Sequence, residues 1–195
     1  MSVQVRQVLR EATATAHQRL HDHPVLAPLN TAAVTRVQYI RGLTALYGLH
    51  AAADRALAGQ WPERASRAAV IAVDLQALGV DPGRLAAAGT LPDCETAAAL
   101  LGKRYVVDGS GFGTRSMAAN IQRALDLGAG SGAGFFHGEA IDQAGEWRRL
   151  LGWLEALAAP EERGQACDAA VATFTGIERW LDQCAVADDP GGAGR

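Results

Sequence analysis

The chain has 195 residues and a mass of 20.4 kDa, with 49% hydrophobic residues and a mean hydropathy of +0.01. That is the size of one domain with a sizeable core, and no apolar run approaches the roughly 18 residues that span a bilayer, so a soluble protein is expected. A formal net charge of -3 and a pI near 5.9 give no overall electrostatic reason to bind nucleic acid or an anionic membrane.

The opening residues MSVQVRQVLRE carry charge early and lack an apolar signal core, which points to a cytoplasmic protein. Cys94, Cys167 and Cys184 are odd in number and widely spaced, with no CxxC pair, so they read as reduced thiols rather than a disulfide framework or a thiolate zinc site. Alanine is abundant and β-branched runs are scarce, which predicts an all-α, single-domain fold over residues 1–187, followed by a polar, Gly-rich and disordered tail at 188–195.

Residues 3–20 place Val5, Val8, Leu9, Ala12, Ala16 and Leu20 on one stripe of a first helix, ended by Pro24 and Pro28. A second helix, capped by Asn30 or Thr31, runs to about Leu57 through Tyr39, Leu43, Leu46, Leu49 and Ala53, long enough to be a central element. A third spans about Glu63 to Leu78. A turn-rich stretch then leads to a fourth helical region from Thr96 to Leu125, with Asp93 as its expected N-cap. After the connection LGAGSGAG come a helix containing EWRRLLGWLEAL and a last one containing AAVATFTGIERWLDQC.

The fourth region contains YVVDGSGFGT, with Gly109, Gly111 and Gly113 inside an otherwise helical stretch. Each interior glycine costs about 1 kcal/mol of helix stability relative to alanine, so the helix should kink there. A nucleotide-binding loop does not fit: GxGxxG needs glycine at Thr114, GxxxxGK[ST] is absent, and no strand-helix alternation exists to build its sheet. In an unbroken helix Gly109 and Gly113 share a face. Two readings stay open for that bare face, close packing of helices through small residues, which is the commoner cause, or a flat ligand lying against backbone.

His17, His21 and His23 fall within seven positions. His17 and His21 share a helical face but lack a third ligand, and Pro24 tends to force His23 out of the helix, so a metal cluster is not expected. His21 and His23 read as solvated residues at a helix C-terminus. His17 lies beside the apolar stripe and can point inward, and on local grounds it, His50 and His137 read as hydrogen-bonded core histidines. No Glu-x-x-His pairs for a di-iron bundle and no GxSxG nucleophile motif occur.

Taken together, LREATATAH, YIRGLTALYGLHAAADRAL, YVVDGSGFG, and FFHGEAIDQAGEWRRLLGWLEAL with ATFTGIERWL resemble, in order and spacing over residues 9–182, the bacterial heme oxygenases, in particular those that supply phytochromes with biliverdin. The resemblance implies a helical bundle with a heme cleft between the first helix and a kinked, Gly-rich distal helix. It implies that His17 is the proximal ligand of the heme iron and that Gly109 and Gly113 are the distal glycines. It further implies that Ser110 stands where animal members place a water-ordering aspartate, that Arg10 and Tyr105 hold heme propionates, and that Phe174 covers a heme edge. Asp108 replaces the family's usual glutamate and Phe112 its usual leucine, both mild changes, while Thr114 stands where glycine or alanine is common and would crowd the distal pocket.

The implied reaction is O2-dependent cleavage of heme, both substrate and cofactor, to biliverdin, CO and ferrous iron. Electrons would come from a donor such as ferredoxin or a reductase, and a bacteriophytochrome would be a possible recipient of the product. A heme- or biliverdin-binding protein of the same fold without turnover, and a plain helical interaction domain, are the alternatives.

Overall fold

The computed structural model of the chain describes residues 5–138 and 141–187, and for 112–115 and 187 the backbone alone. The tail at 188–195 and the side chains of Phe112 and Thr114, on which expectations were placed above, lie outside the described residues. Those residues are all-helical apart from turns and loops, as the alanine-rich pattern predicts.

α1 (Val5–His21) buries Val5, Leu9 and Thr13, whereas Ala12 is exposed and Val8 only half-buried. The inward stripe is therefore rotated from the expected one. Thr13 can occupy it because its hydroxyl donates to the Leu9 carbonyl at 2.7 Å, leaving only its methyl to pack. α2 (Arg36–Leu57) is capped by Thr35, not by Asn30 or Thr31, which fall at the end of a 3₁₀ turn, Ala27–Asn30, and just beyond it. Thr35 and Gln38 form a reciprocal capping box, the Thr35 hydroxyl accepting from the Gln38 amide and the Gln38 side chain from the Thr35 amide.

α3 (Arg67–Ala77) starts four residues later than expected, where Ser66 caps it. α4 (Ala97–Gly109) starts under Thr96 rather than Asp93. In both cases the hydroxyl three residues before a free amide wins, accepting from Ala69 and Ala99 respectively.

The expected kink is present. α4 ends at Gly109, residues Ser110–Gly113 form a 3₁₀ turn, and α5 (Thr114–Leu125) continues beyond it. The Gly-rich connection closes into a tight turn over Ala129–Ala133 in which Gly132 takes φ +106°. That backbone conformation is open to glycine, and the Gly132 carbonyl accepts from the buried Tyr39 hydroxyl at 2.6 Å. The short α6 (Gly134–His137) follows, its first two amides donating to Asp74 at 2.8 Å each. α7 (Gln143–Glu155) and α8 (Pro160–Ala187) complete the chain.

α2 passes between two apolar groups. Its Tyr39 and Leu43 pack with Ile71, Leu75, Ile121 and Phe136 of α3, α5 and α6, while Ala45 and Leu49 join Leu9, Val106, Leu150, Phe174 and Leu181 of α1, α4, α7 and α8. α4 and α8 approach so closely that a Cβ on Gly102 would overlap the backbone carbonyl of Ala166. Of the residues singled out as ligand contacts in the sequence, Phe174 belongs to the second group and Tyr105 packs against it.

Candidate functional site

One face of α1 carries Arg6, Arg10 and His17, all exposed, at intervals of four and seven residues. Arg10 and His17 are two turns apart, about 10 Å along the axis. His17 does not point inward as its neighbours suggested. The ring stands exposed, with the ring of buried Phe174 of α8 beside it at 6.2 Å between centroids and 75° between planes. His17 and Phe174, to which the resemblance gave separate roles, therefore lie side by side.

At the other end of that face, α4 presents Tyr105. Burial raises its hydroxyl pKa, and the positive charges of Arg6 and Arg10 act in the opposite direction, so both guanidiniums lie within electrostatic reach of the phenol. The Tyr105 ring packs on Trp147 of α7 at 5.4 Å between centroids and 32° between planes. Trp147 in turn covers the bare side of Gly109: a Cβ there would sit 3.3 Å from its indole. Arg10, Tyr105 and Gly109 thus form a second group, joined to His17 and Phe174 through the shared helices α1, α4 and α8.

Arg6 and Trp147 were not singled out in the sequence. Arg6 was legible as the residue one turn before Arg10. Trp147 carried no local signal, because its role depends on how α7 crosses α4.

Gly109 and Gly113 do not share a face. The 3₁₀ turn between them advances about 120° per residue instead of 100°, so four residues leave the two glycines about a third of a turn apart. Gly111 is buried, and a Cβ on it would run into the side-chain amide of Gln143. Packing against α7 therefore accounts for the lack of side chains at Gly109 and Gly111. Ser110 is exposed, and its hydroxyl donates back to the Val107 carbonyl at 2.8 Å, closing the end of α4.

The other histidines divide differently from expectation. His21 is exposed beside Asp22. His23 is not solvated: it is buried, accepts from the Val25 amide at Nδ1 and reaches Asp182 of α8 through Nε2 at 3.2 Å. The turn leaving α1 folds back onto the last helix and takes His23 with it. His50 of α2 is fully buried against Phe135, and neither ring nitrogen has a hydrogen-bond partner, in contrast to the hydrogen-bonded core histidine expected. Burial and the nearby Arg67 push its pKa down to about 3.

Asp108, the apparently mild replacement, is the centre of a buried ion cluster of three arginines and three carboxylates. It accepts from Arg64 at 2.7 Å, lies 3.3 Å from Arg67 and accepts from Arg104 at 2.8 Å. Arg64 also pairs with Asp54 of α2, and Arg67 with Glu146 of α7 at 3.1 Å. Burial opposes the charge on Asp108, but Arg64 and Arg67 hold its carboxyl below the usual carboxylate range. The Arg104 guanidinium lies over Trp61 and Trp153 at 4.8 and 5.1 Å, stacking on rings in place of a further polar partner.

Two concavities flank these residues. One of about 20 Å³ is lined by Arg67, Gly111, Phe135 and Gln143 among others, and an open, mainly apolar groove of about 320 Å³ lies between Trp61, Leu101, Trp153 and Leu157. Among the described residues no helix is long and apolar enough to cross a membrane.

Chemically, the α1 face offers an accessible imidazole beside an aromatic edge and, two turns away, a pair of guanidiniums with a phenol. That set suits a flat apolar molecule carrying a metal at its centre and carboxylates at its rim.

No protein-family model and no curated protein matches the chain. Solved structures do. The chain is similar over its whole length to all of the heme oxygenase of Neisseria meningitidis, solved with NO and CO bound, at 21% identity and a TM-score of 0.72. It is similar over 93% of its length to the whole heme oxygenase of Leptospira interrogans, at 19% identity and a TM-score of 0.71. Over 95% of its length it is similar to 94% of heme oxygenase-1 from the cyanobacterium Synechocystis, solved with heme, at 15% identity and a TM-score of 0.69. At these identities what is shared is the fold.

Proposed function

We propose that this protein, which has the heme oxygenase fold from end to end, is a heme oxygenase that opens heme to biliverdin with release of CO and ferrous iron. The observation that carries the reading is the pairing, within that fold, of His17 against Phe174 with Arg10 two turns earlier beside Tyr105. Gly109 and Gly113 enter as the distal backbone, and Ser110 as the hydroxyl nearest that backbone.

The donor set fits heme. His17 is exposed, so its imidazole would be able to hold the heme iron without rearrangement of the core. The buried Phe174 offers an edge for the macrocycle, and Arg6 and Arg10 with the Tyr105 hydroxyl provide charge-assisted hydrogen bonds for two propionates. When bound, heme supplies the iron at which O2 is reduced, with electrons from a separate donor such as ferredoxin or a reductase. The chain's part is to fix orientation through His17 and the arginines, to exclude water with Phe174 and Trp147, and to present backbone in place of side chains at Gly109. Delivery of biliverdin to a bacteriophytochrome and residence in the cytoplasm belong to the same reading.

Hemin titration tests it. The unaltered protein develops a Soret band that His17→Ala abolishes, and ascorbate or reduced ferredoxin then converts the complex to biliverdin. A band indifferent to His17→Ala overturns the reading. A His17-dependent complex that survives reductant and O2 instead identifies a heme-binding protein without turnover.

A further inference from the structure

Each of two consecutive pairs in the sequence couples a buried carboxylate to a residue of the candidate site: Asp108 precedes Gly109 on α4, and Glu146 precedes Trp147 on α7. Gly109 and Trp147 are in contact. Their preceding carboxylates are joined through one side chain, Arg67, whose Nη1 lies 3.3 Å from Asp108 and whose Nη2 lies 3.1 Å from Glu146. Arg67 is 2% exposed and comes from the first residue of α3, an element that otherwise takes no part in the site. It also lines the small cavity shared by Gly111 and Gln143, the second contact between the glycine turn and α7.

We infer that Arg67 is a positioning residue: by bridging Asp108 and Glu146 it fixes α7 against the end of α4 and so sets where the Gly109–Gly113 backbone lies over the site. A guanidinium suits this task because its rigid fork addresses two carboxylates at once, which a point charge on a flexible stem does less well. The other arginines cannot replace it. Arg64 ties Asp108 to Asp54 of α2, and Arg104, on the same helix as Asp108, meets α7 only by stacking on the Trp153 ring, so neither pairs with a carboxylate of α7. Without Arg67, Glu146 retains only the Ala65 amide donating to Oε1 and becomes a buried charge without a cation. α7 then relieves that charge by moving its first turn, which carries Trp147 with it.

The functional meaning of this positioning rests on the heme oxygenase reading, and the test separates the two. Amide hydrogen exchange is measured on the full-length protein without hemin, for Arg67→Met, Arg67→Lys and Glu146→Gln. Arg67→Met is expected to speed exchange of the amides of 109–113 and 145–149 about tenfold while α1 and the C-terminal half of α8 keep their rates, with Arg67→Lys recovering part of the protection. In the hemin titration, affinity of the same variant falls about fivefold while the band remains dependent on His17. If Arg67→Met does not fold, the milder Glu146→Gln gives the same local pattern at smaller amplitude. Exchange that accelerates uniformly through α1 and α8 reduces Arg67 to a general stabilising role and overturns the inference, as does unchanged exchange at 109–113. Failure of the unaltered protein to bind hemin through His17 overturns the function and leaves the exchange pattern to decide the clamp.

Discussion

His50 gives the sharpest test of the buried polar interior. It is fully buried, has no hydrogen-bond partner at either nitrogen, and lies within the fields of Arg67, Asp54, Arg64 and Asp108. Burial, then Arg67, lowers its pKa from the ordinary 6.5 to about 3. Between those values the unfolded chain binds a proton at this position and the native state does not, so stability falls as pH falls, beginning near 6.5 and continuing toward 3. At pH 5 the loss from this one group is about 2 kcal/mol relative to neutral pH. Asp108 acts lower: its carboxyl is held below the usual range, so its contribution persists above about pH 4 and is lost as pH falls through its folded value. Urea unfolding of the parent and of His50→Leu at pH 7.5 and 5 reads the difference directly, since leucine keeps the apolar contact with Phe135 and does not titrate. The parent should lose about 2 kcal/mol more than the variant between the two conditions. Equal losses in both proteins would show that His50 is protonated or partnered in the native state, and the reasoning would fail.

The other perturbations follow from single contacts. Gly102→Ala places a Cβ on the Ala166 carbonyl and must separate α4 from α8, so thermal unfolding should show a loss of about 3 kcal/mol, at the upper end for overpacking. Arg10→Ala leaves the fold intact, because the side chain is exposed, and should weaken hemin binding about tenfold while flattening its dependence on salt.

Much of the fold was legible because it rests on local rules. Helical periodicity, proline and glycine punctuation and the costly glycine run gave the longer helices and the kink at Gly109, but not the short α6. The caps were misplaced by three to five residues, from Asn30 or Thr31 to Thr35 and from Asp93 to Thr96, because several capping side chains stood near one another. What was not legible depends on partners far away in sequence. His23 is buried because Asp182 and α8 lie across from it, 159 residues on. Asp108 looked like a minor departure from a motif, and its weight comes from three arginines brought by the loop after α2, by α3 and by its own helix. His17 and Arg10 were singled out only through the resemblance, since on local grounds His17 read as a core histidine, whereas the structure leaves it exposed. Trp147 was missed because the contact it makes is a property of how two helices cross.

That crossing bears on the two readings left open for the glycines. Trp147 against Gly109 and Gln143 against Gly111 supply a packing reason for both, so the glycines by themselves do not require a ligand. Packing and ligand roles nevertheless predict different behaviour for Gly109→Ala. The added Cβ meets the rim of an indole at 3.3 Å, a contact that a shift of a few tenths of an ångström relieves, and the residue ends α4, where alanine is a good helix former. The cost to folding is therefore about 1 kcal/mol, or some 3 °C in Tm for a chain of this length. If Gly109 serves packing alone, hemin binding and conversion to biliverdin stay near those of the parent. If its backbone forms the distal wall, the shift that separates Gly109 from the indole alters that wall. Conversion then falls at least about tenfold, equivalent to 1.4 kcal/mol, while Tm moves little. We expect the second outcome. A Tm loss with unchanged conversion would assign the glycines to helix packing and leave His17, Phe174, Arg6, Arg10 and Tyr105 as the candidate site.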